Sequence, residues 1–278
     1  LFEIIRKEVI APKTVKFYIK APNIVKSIQP GQFVMIKTDE KGERIPLSIS
    51  GWNYEEGTLR IIIQGVGKTS NDIILMKEGD FIESVVGPLG VPTHMGNYGN
   101  CVVIGGGYGT GAVIPIAEKL KKLGNNVFGI VGARNKDLLI MANELKEAVN
   151  HFYITTNDGS EGIKGFVTDA LTEIMKNHEI HWVISIGPVP MMKAVANMTK
   201  DKNIPTFASL NAIMVDGTGM CGACRVTVGG ETKFACIHGP DFDAHKVNFE
   251  ELVLRQSAYK ELEEVANESY KTYDFSNL

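Results

Sequence analysis

The chain has 278 residues, 44% hydrophobic and 22% charged, with a formal net charge of −3. That composition is ordinary for a globular protein, and the slight acidity gives no reason to expect nucleic acid or an anionic membrane surface as a partner. No apolar run approaches the length of about 20 residues that a membrane-spanning helix needs.

The opening run LFEIIRKEVI mixes charges into its apolar residues and does not read as a signal peptide. The expectation is a cytoplasmic protein with reduced cysteines, in which a cysteine cluster more often binds metal than forms disulfides.

Residues 1–98 carry the short runs TVKFYIK, QFVMIKT, LRIIIQG and FIESVVG, divided by turn signals such as PGQ and EEG. Short alternating runs punctuated by Gly and Pro predict an antiparallel β-barrel. Two stretches inside it carry chemistry. ERIPLSIS spans Glu43–Ser50 and offers Arg44, Pro46, Leu47, Ser48 and Ile49. Arg44 suits a pyrophosphate, and Ser48 with the neighbouring backbone suits the edge of an isoalloxazine. Taken alone, the stretch reads better as an edge-strand proline beside an exposed arginine. QGVGKTS then supplies Gln64, Gly65, Gly67, Lys68, Thr69 and Ser70 after a strand. Such a loop can turn backbone N–H groups toward phosphate, although it does not match the Walker A spacing.

Near residue 100 the pattern changes. CVVIGGG is a continuous apolar strand, and AVIPIAEKLKKLG follows with helical spacing. Cys101 reads as a small buried hydrophobe at the start of that strand. NVFGIVGA, HFYITTND and HWVISIG alternate as strands with the helical segments LLIMANELKEAV, VTDALTEIMKNH and PMMKAVANMTKD, and IPTFASL closes the series. The alternation predicts a doubly wound parallel sheet over 99–205. Its first strand-to-helix turn holds Gly105, Gly106, Gly107, Gly109, Thr110 and Gly111. Glycines there permit a phosphate to approach the helix N-terminus, the reading the strand–turn–helix context favours over tight strand–helix packing. No acidic residue ends the next strand; Arg134 and Lys136 stand there instead, which leaves NAD against NADP open. Gly187 and Pro188 shape a turn suited to a nicotinamide, followed by Met191 and Met192, residues that more often belong to a core.

Residues 206–245 read as a loop-rich module, and 246–278 as a charged C-terminal helix centred on 248–269. The module contains VDGTGMCGACRVTV and a later Cys236. Asp216, Cys221, Cys224 and Cys236 follow the pattern D-x4-C-x2-C-x11-C. A plant-type [2Fe–2S] loop runs C-x4-C-x2-C…C, so Asp216 stands where its first cysteine would be. Three other readings compete: zinc with His238 as fourth ligand, three buried thiols without metal, and a [4Fe–4S] cluster with one non-cysteine ligand.

Together these motifs resemble the ferredoxin–NADP reductase superfamily. The order is Arg44-x-Pro46-Leu47-Ser48, Gly65-x-Gly67-x-Thr69, GPLG at Gly87–Gly90, the Gly105–Gly111 loop, TNDGSEGIKGFVTDAL at Thr156–Leu171 with Asp158, and GPVPMM at Gly187–Met192. The C-terminal loop resembles dihydroorotate dehydrogenase electron-transfer subunits. It is more similar still to the small subunits of NADH-dependent reduced ferredoxin:NADP oxidoreductases, also called sulfide dehydrogenase beta subunits.

The resemblance implies FAD on the barrel, NAD(H) on the sheet with NADP(H) as the alternative, and a [2Fe–2S] cluster on Asp216, Cys221, Cys224 and Cys236. It implies hydride exchange between nicotinamide and flavin with no catalytic acid or base, because the cofactors carry the chemistry. It also implies a larger flavin and iron–sulfur partner in a heterodimer, through which ferredoxin is reached and where electron bifurcation takes place. Dihydroorotate-type members typically have cysteine as first ligand, so Asp216 argues against that branch. Ile186 replaces a cysteine that many superfamily members carry before the Gly-Pro turn. The alternatives are a dihydroorotate dehydrogenase electron-transfer subunit, a self-contained reductase, and a non-catalytic nucleotide-sensing module with structural zinc.

Overall fold

Alternation decides the first half of the chain. In β2 (Thr14–Lys20) the residues Val15, Phe17 and Ile19 are fully buried, and in β5 (Thr58–Gln64) so are Leu59 and Ile61. Residues one apart face opposite sides of a strand, so these side chains meet on one face. A computed structural model describes residues 1–275 and 278 of this protein. Strands β1 (Phe2–Ala11), β2, β3 (Phe33–Lys37), β4 (Ile45–Asn53), β5, β6 (Phe81–Ile82) and β7 (Ser84–Leu89) form one antiparallel sheet in the order β6-β1-β2-β5-β4-β3-β7. The edge strands β6 and β7 are separated in sequence by Glu83 alone, so the chain itself draws the two edges together into a near-closed barrel. Two helices belong to this half, α1 (Pro22–Val25) and α2 (Lys68–Leu75). Pro46 is not on an edge: β4 lies between β5 and β3, and Pro46 sits at its second residue, opposite Met35. A proline at the start of an inner strand removes few ladder bonds.

The second sheet has the order β11-β10-β9-β8-β12-β13-β16. Its members are β8 (Asn100–Gly106), β9 (Asn126–Ala133), β10 (His151–Thr156), β11 (Ile163–Lys164), β12 (Trp182–Ile186), β13 (Thr206–Ser209) and the antiparallel β16 (Asp241–Asp243). Helices α3 (Gly109–Lys122), α4 (Ala142–Ala148), α5 (Val167–Asn177) and α6 (Val189–Lys200) make the crossovers. α3 and α4 cover one face and α5 and α6 the other, as the two separate buried clusters show. The strand order reverses between β8 and β12, and ligands of such sheets bind at the carboxyl ends beside that switch. α4 is shorter than its helical spacing predicts. Met141 precedes it with φ 52°, and Ile140 and Met141 are both buried there, so the chain bends to bury consecutive apolar side chains.

The cysteine region is more ordered than a loop. β13 and β16 join the large sheet, β14 (Arg225–Val228) and β15 (Glu231–Phe234) form a hairpin, and α7 (Ala235–His238) carries Cys236. The C-terminal segment is two helices rather than one, α8 (Phe249–Gln256) and α9 (Lys260–Ala266). Asn248 caps α8 by accepting the Glu251 N–H, and Phe249 and Leu252 anchor it in the core. α9 buries no residue, so nothing holds it in line with α8. Beyond α9 the chain returns to the barrel. Asn71 donates to Asn267 at 2.8 Å, Tyr270 donates to Asp72, and Phe275 packs on the barrel core.

The modules meet along one seam. A Cβ at Gly111 of α3 would stand 2.4 Å from Ile62 Cδ1 of β5, so glycine there lets the helix lie directly on the barrel wall. Lys16 of β2 reaches Glu144 of α4 at 3.0 Å across the same seam. Phe33 and Met35 of β3 share a buried cluster with Cys224, Cys236, Met192 and Phe249, which seats the cysteine module on the barrel and on α6.

Candidate functional site

Three candidate sites line this seam. The first lies at the N-terminus of α2. Gly67 caps the helix, and a Cβ on it would meet nothing within 4 Å, so the backbone faces open space. Ser70 Oγ accepts the N–H groups of Val66 and Gly67 at 3.0 and 2.9 Å, which fixes the turn. Thr69 Oγ1 reaches Glu43 at 3.3 Å, and this contact brings the strand carrying Arg44 beside the helix start. Arg44 is exposed and forms no ion pair among the described residues. An arginine without an ion pair, in the segment that adjoins a helix N-terminus with an open glycine, fits a diphosphate. Ser48 is exposed on β4, while Ile49 is buried in the barrel core and its N–H donates to Gln32 O at 3.2 Å. Gly65 packs tightly, since a Cβ there would stand 2.4 Å from both Asn71 and Ile74.

The second site is a cavity of about 560 Å³ at the carboxyl ends of the parallel strands. Gly106 and Gly107 after β8, Ala133 and Arg134 after β9, Thr155 and Asn157 from β10, and Pro188 and Met191 after β12 form one wall; Ala11, Thr14 and Gln64 of the barrel form the other. The glycines divide by role. A Cβ on Gly109 would stand 2.3 Å from the Ile186 carbonyl oxygen, and one on Gly105 2.6 Å from Thr110 Cα, so both serve packing. Gly107 has φ 55° and open space around it, so it is the glycine available to a ligand. Gly106 and Gly187 both lie against Met191, whose side chain lines the cavity while Met192 is fully buried. Thr110 and Thr155 carry buried hydroxyl oxygens with no hydrogen-bond partner. Buried polar atoms are normally paired, and Thr155 lines the cavity, so a polar ligand fits there. Asp158 does not line the cavity. Its carboxylate accepts from Ser160 N–H and Oγ–H at 2.9 and 2.7 Å, and those bonds hold it below the usual carboxylate range. The neighbouring Asn157 takes the wall position instead. Cys101 is fully buried on β8, and burial pushes its thiol up to about 12, as a structural cysteine requires.

The third site is the cysteine module. Asp216 Oδ1 accepts the Thr218 N–H and Oδ2 the Cys221 N–H, each at 2.8 Å, and these bonds, Thr218's foremost, hold the carboxylate ionised. Gly217, Gly219 and Gly222 have φ of 76°, 85° and 67°, the left-handed turns that curl the loop. Cys224 Sγ lies 3.2 Å from Cys236 Sγ, and the Ala223 N–H donates to Cys221 Sγ at 3.5 Å. Burial, then the adjacent Cys224 thiol, pushes Cys236 up to about 12. Among the described residues no three His, Cys, Asp or Glu side chains converge on one point. The loop instead holds two pairs, Asp216 beside Cys221 and Cys224 beside Cys236. A two-iron cluster takes two protein ligands on each iron, and the pairing fits it. A single tetrahedral zinc asks for four at one point. His238 is held elsewhere, its Nδ1 accepting the Phe234 N–H at 3.0 Å.

Met35 joins the sites. It pairs with Pro46 across β3 and β4, and a Cβ on Gly217 would stand 2.6 Å from its Cγ. One strand therefore separates the Arg44–Ser48 strand from the cysteine loop. Sequence reasoning missed Met35 because a buried methionine in a strand carries no functional signal.

A barrel closed against a doubly wound sheet, with a cysteine loop at their junction, is the architecture of ferredoxin reductase-like electron-transfer proteins. The comparisons with known proteins agree. Residues 211–248 match the family described as the iron–sulfur cluster binding domain of dihydroorotate dehydrogenase B. The chain is 46% identical over 270 residues, 97% of its own length and 95% of the other's, to a Thermotoga maritima protein named as a dihydroorotate dehydrogenase B (NAD(+)) electron transfer subunit homolog. A solved NADH-dependent reduced ferredoxin–NADP oxidoreductase structure, described for flavin-based electron bifurcation, superposes with a TM-score of 0.93 at 46% identity, covering 97% of this chain and 98% of that one. A ferredoxin NADP+ reductase from Neisseria gonorrhoeae, solved with FAD and NADP, shares the fold with a TM-score of 0.60 at 19% identity, over 73% of this chain and 90% of that one. The chain belongs to the family of dihydroorotate dehydrogenase B-type electron transfer subunits and their homologues.

Proposed function

We propose that this chain is the electron-transfer subunit of an electron-bifurcating NADH-dependent ferredoxin:NADP oxidoreductase. It works as a heterodimer with a larger flavin and iron–sulfur subunit and communicates with ferredoxin through that partner. The observation that carries the reading is the convergence of three sites on one seam, with Met35 linking the Arg44–Ser48 strand to the cysteine loop. Residues 1–98 are assigned to FAD, 99–205 to NAD(H), and 206–245 to a [2Fe–2S] cluster, with 246–278 supporting them.

Bound FAD would supply two-electron exchange with a nicotinamide and one-electron exchange with an iron–sulfur cluster, which asks for no catalytic acid or base from the chain. The chain's own residues bind and orient. Arg44, Gly67, Thr69 and Ser70 would hold the diphosphate, and Pro46, Leu47 and Ser48 the ring edge. Gly107, Thr155, Pro188 and Met191 would seat the nicotinamide nucleotide. Asp216, Cys221, Cys224 and Cys236 would hold the iron. Cys221 and Met220 are exposed, Met220 at 89%, so the Asp216–Cys221 side of the loop is the side open to a partner. Among the described residues no helix is long and apolar enough to cross a membrane. All four cysteines are unpaired, which supports a cytoplasmic placement.

The second reading, a dihydroorotate dehydrogenase electron-transfer subunit, is favoured by the match over 211–248. Reconstituting the chain with its larger partner separates the two. NAD+ reduction that requires both NADPH and ferredoxin supports the first reading; NAD+ reduction driven by dihydroorotate supports the second and removes the first.

A further inference from the structure

Two of the three peptides between Cys221 and Cys224 are held from outside by two arginines. Gly222 O accepts from Arg225 Nη1 at 3.2 Å, and Ala223 O accepts from Arg255 Nη2 at 3.1 Å. A trans peptide is planar, and its C=O and N–H point in opposite directions. The Gly222–Ala223 peptide shows the consequence, because its carbonyl faces Arg225 while its N–H donates to Cys221 Sγ at 3.5 Å. The next peptide repeats the arrangement. Its carbonyl faces Arg255, so the Cys224 N–H is turned away from that arginine, to the loop's other side.

The two arginines are not equivalent. Arg225 is exposed and close in sequence to the loop. Arg255 is half-buried and arrives from the last turn of α8, outside the 211–248 segment that matches the iron–sulfur family. α8 is fixed by Phe249 and Leu252, which share a buried cluster with Cys224 and Cys236. Arg255 forms no ion pair among the described residues, so no carboxylate at salt-bridge distance offsets its charge. An uncancelled cation favours whichever redox state of its neighbour is more negative. Hydrogen bonding around the sulfurs is the other lever by which a protein sets a cluster's potential.

From this geometry we propose that Arg255 is a positioning residue for the iron–sulfur loop: it fixes the Ala223–Cys224 peptide and raises the reduction potential of the cluster held there. The inference rests on the [2Fe–2S] assignment above. The redox step is the entry of one electron into the cluster, and Arg255 keeps its proton throughout.

The test is a mediated potentiometric titration of the complete chain, followed by EPR, with iron and sulfide content measured first. Wild type, Arg255→Gln, Arg255→Lys and Gln256→Ala are compared. Gln256 lies on the same helix and ties it to Asn211, so its variant reports on helix anchoring alone. Arg255→Gln is expected to make reduction about tenfold less favourable, which is about 59 mV for one electron. Arg255→Lys, which keeps the charge and loses the planar fork, is expected between Arg255→Gln and wild type. Gln256→Ala is expected at the wild-type potential. A wild-type potential in cluster-loaded Arg255→Gln overturns the inference. If Arg255→Gln does not retain iron, Arg255→Lys decides, and a wild-type potential there overturns it. An equal shift in Gln256→Ala overturns it in favour of helix anchoring. A wild-type chain that holds no iron after reconstitution removes the cluster assignment itself, a separate failure.

Discussion

Lys16→Met removes the cation that ties the barrel to the nucleotide sheet. Lys16 Nζ lies 3.0 Å from Glu8 Oε2 of the barrel and 3.0 Å from Glu144 Oε1 of α4, with its own side chain 9% exposed. A charge-assisted hydrogen bond contributes about 1.5–3 kcal/mol when shielded. Glu8 and Glu144 are 25% and 36% exposed, so water screens part of that. The expected net loss is about 2 kcal/mol, since methionine replaces the aliphatic stem and leaves two carboxylates without a cation. For a chain of this size that lowers Tm by about 4–8 °C.

The pH dependence has a definite sign. Burial opposes the charge on Lys16, yet Glu8 and Glu144 outweigh it and raise its pKa; burial likewise opposes the charge on Glu144, yet hydrogen bonds, Lys16's among them, lower its pKa. The stabilisation is present between about pH 5 and about pH 10. It is lost as pH falls through the lowered Glu144 value or rises through the raised Lys16 value. The assay is a double-mutant cycle with Glu144→Leu by thermal unfolding, paired with NADH binding, because the cavity has a barrel wall and a sheet wall. A coupling of about 1 kcal/mol and weaker NADH binding in Lys16→Met are expected. Additivity within about 0.3–0.5 kcal/mol would show that the pair does not hold the seam.

Gly109→Ala and Gly107→Ala should part company. The first sets a methyl 2.3 Å from the Ile186 carbonyl and should cost more than about 3 kcal/mol in unfolding experiments, whereas the second meets open space and costs about 1–2 kcal/mol of left-handed strain while weakening nucleotide binding in titration calorimetry. Asp241 is half-buried, but its Oδ1 is shielded from water and has no hydrogen-bond partner, and this desolvation raises its pKa above the unfolded value despite the Thr93 hydroxyl donated to Oδ2 at 2.5 Å. A raised carboxyl destabilises the fold as pH climbs above about 4, so Asp241→Asn should match wild type in Tm near that pH and exceed it at neutral pH. Asp216→Cys should still hold a cluster, with a changed EPR signal and a changed potential; if both stay as in wild type, Asp216 is not a ligand.

Much of the fold is legible in the sequence because one physical signal dominates. β2 alternates apolar and polar residues, β3 and the end of β5 are short apolar runs, and β8 is a continuous apolar run followed by glycines. β1 is harder to see, because Ile4 is its one fully buried residue and the strand carries four charged side chains. The cysteine module reads as loop because β14, β15 and β16 are only three or four residues long, too short for a period to register. The ligand spacing around Cys221 and Cys224 is visible in one dimension. The contacts of Met35 and Arg255 are not, since each depends on distant segments packing together. The glycine-rich turn is legible as a feature but not in its division of labour, because packing and ligand approach call for the same residue.

Electron passage from a nicotinamide through a flavin to the cysteine loop of this chain is visible as a colour change. The measurement is an anaerobic visible absorption spectrum of the reconstituted protein before and after NADH. A flavin band with a broad iron–sulfur shoulder, both bleached by NADH, is expected. A protein that stays colourless after reconstitution, or whose spectrum NADH leaves unchanged, would contradict this electron path.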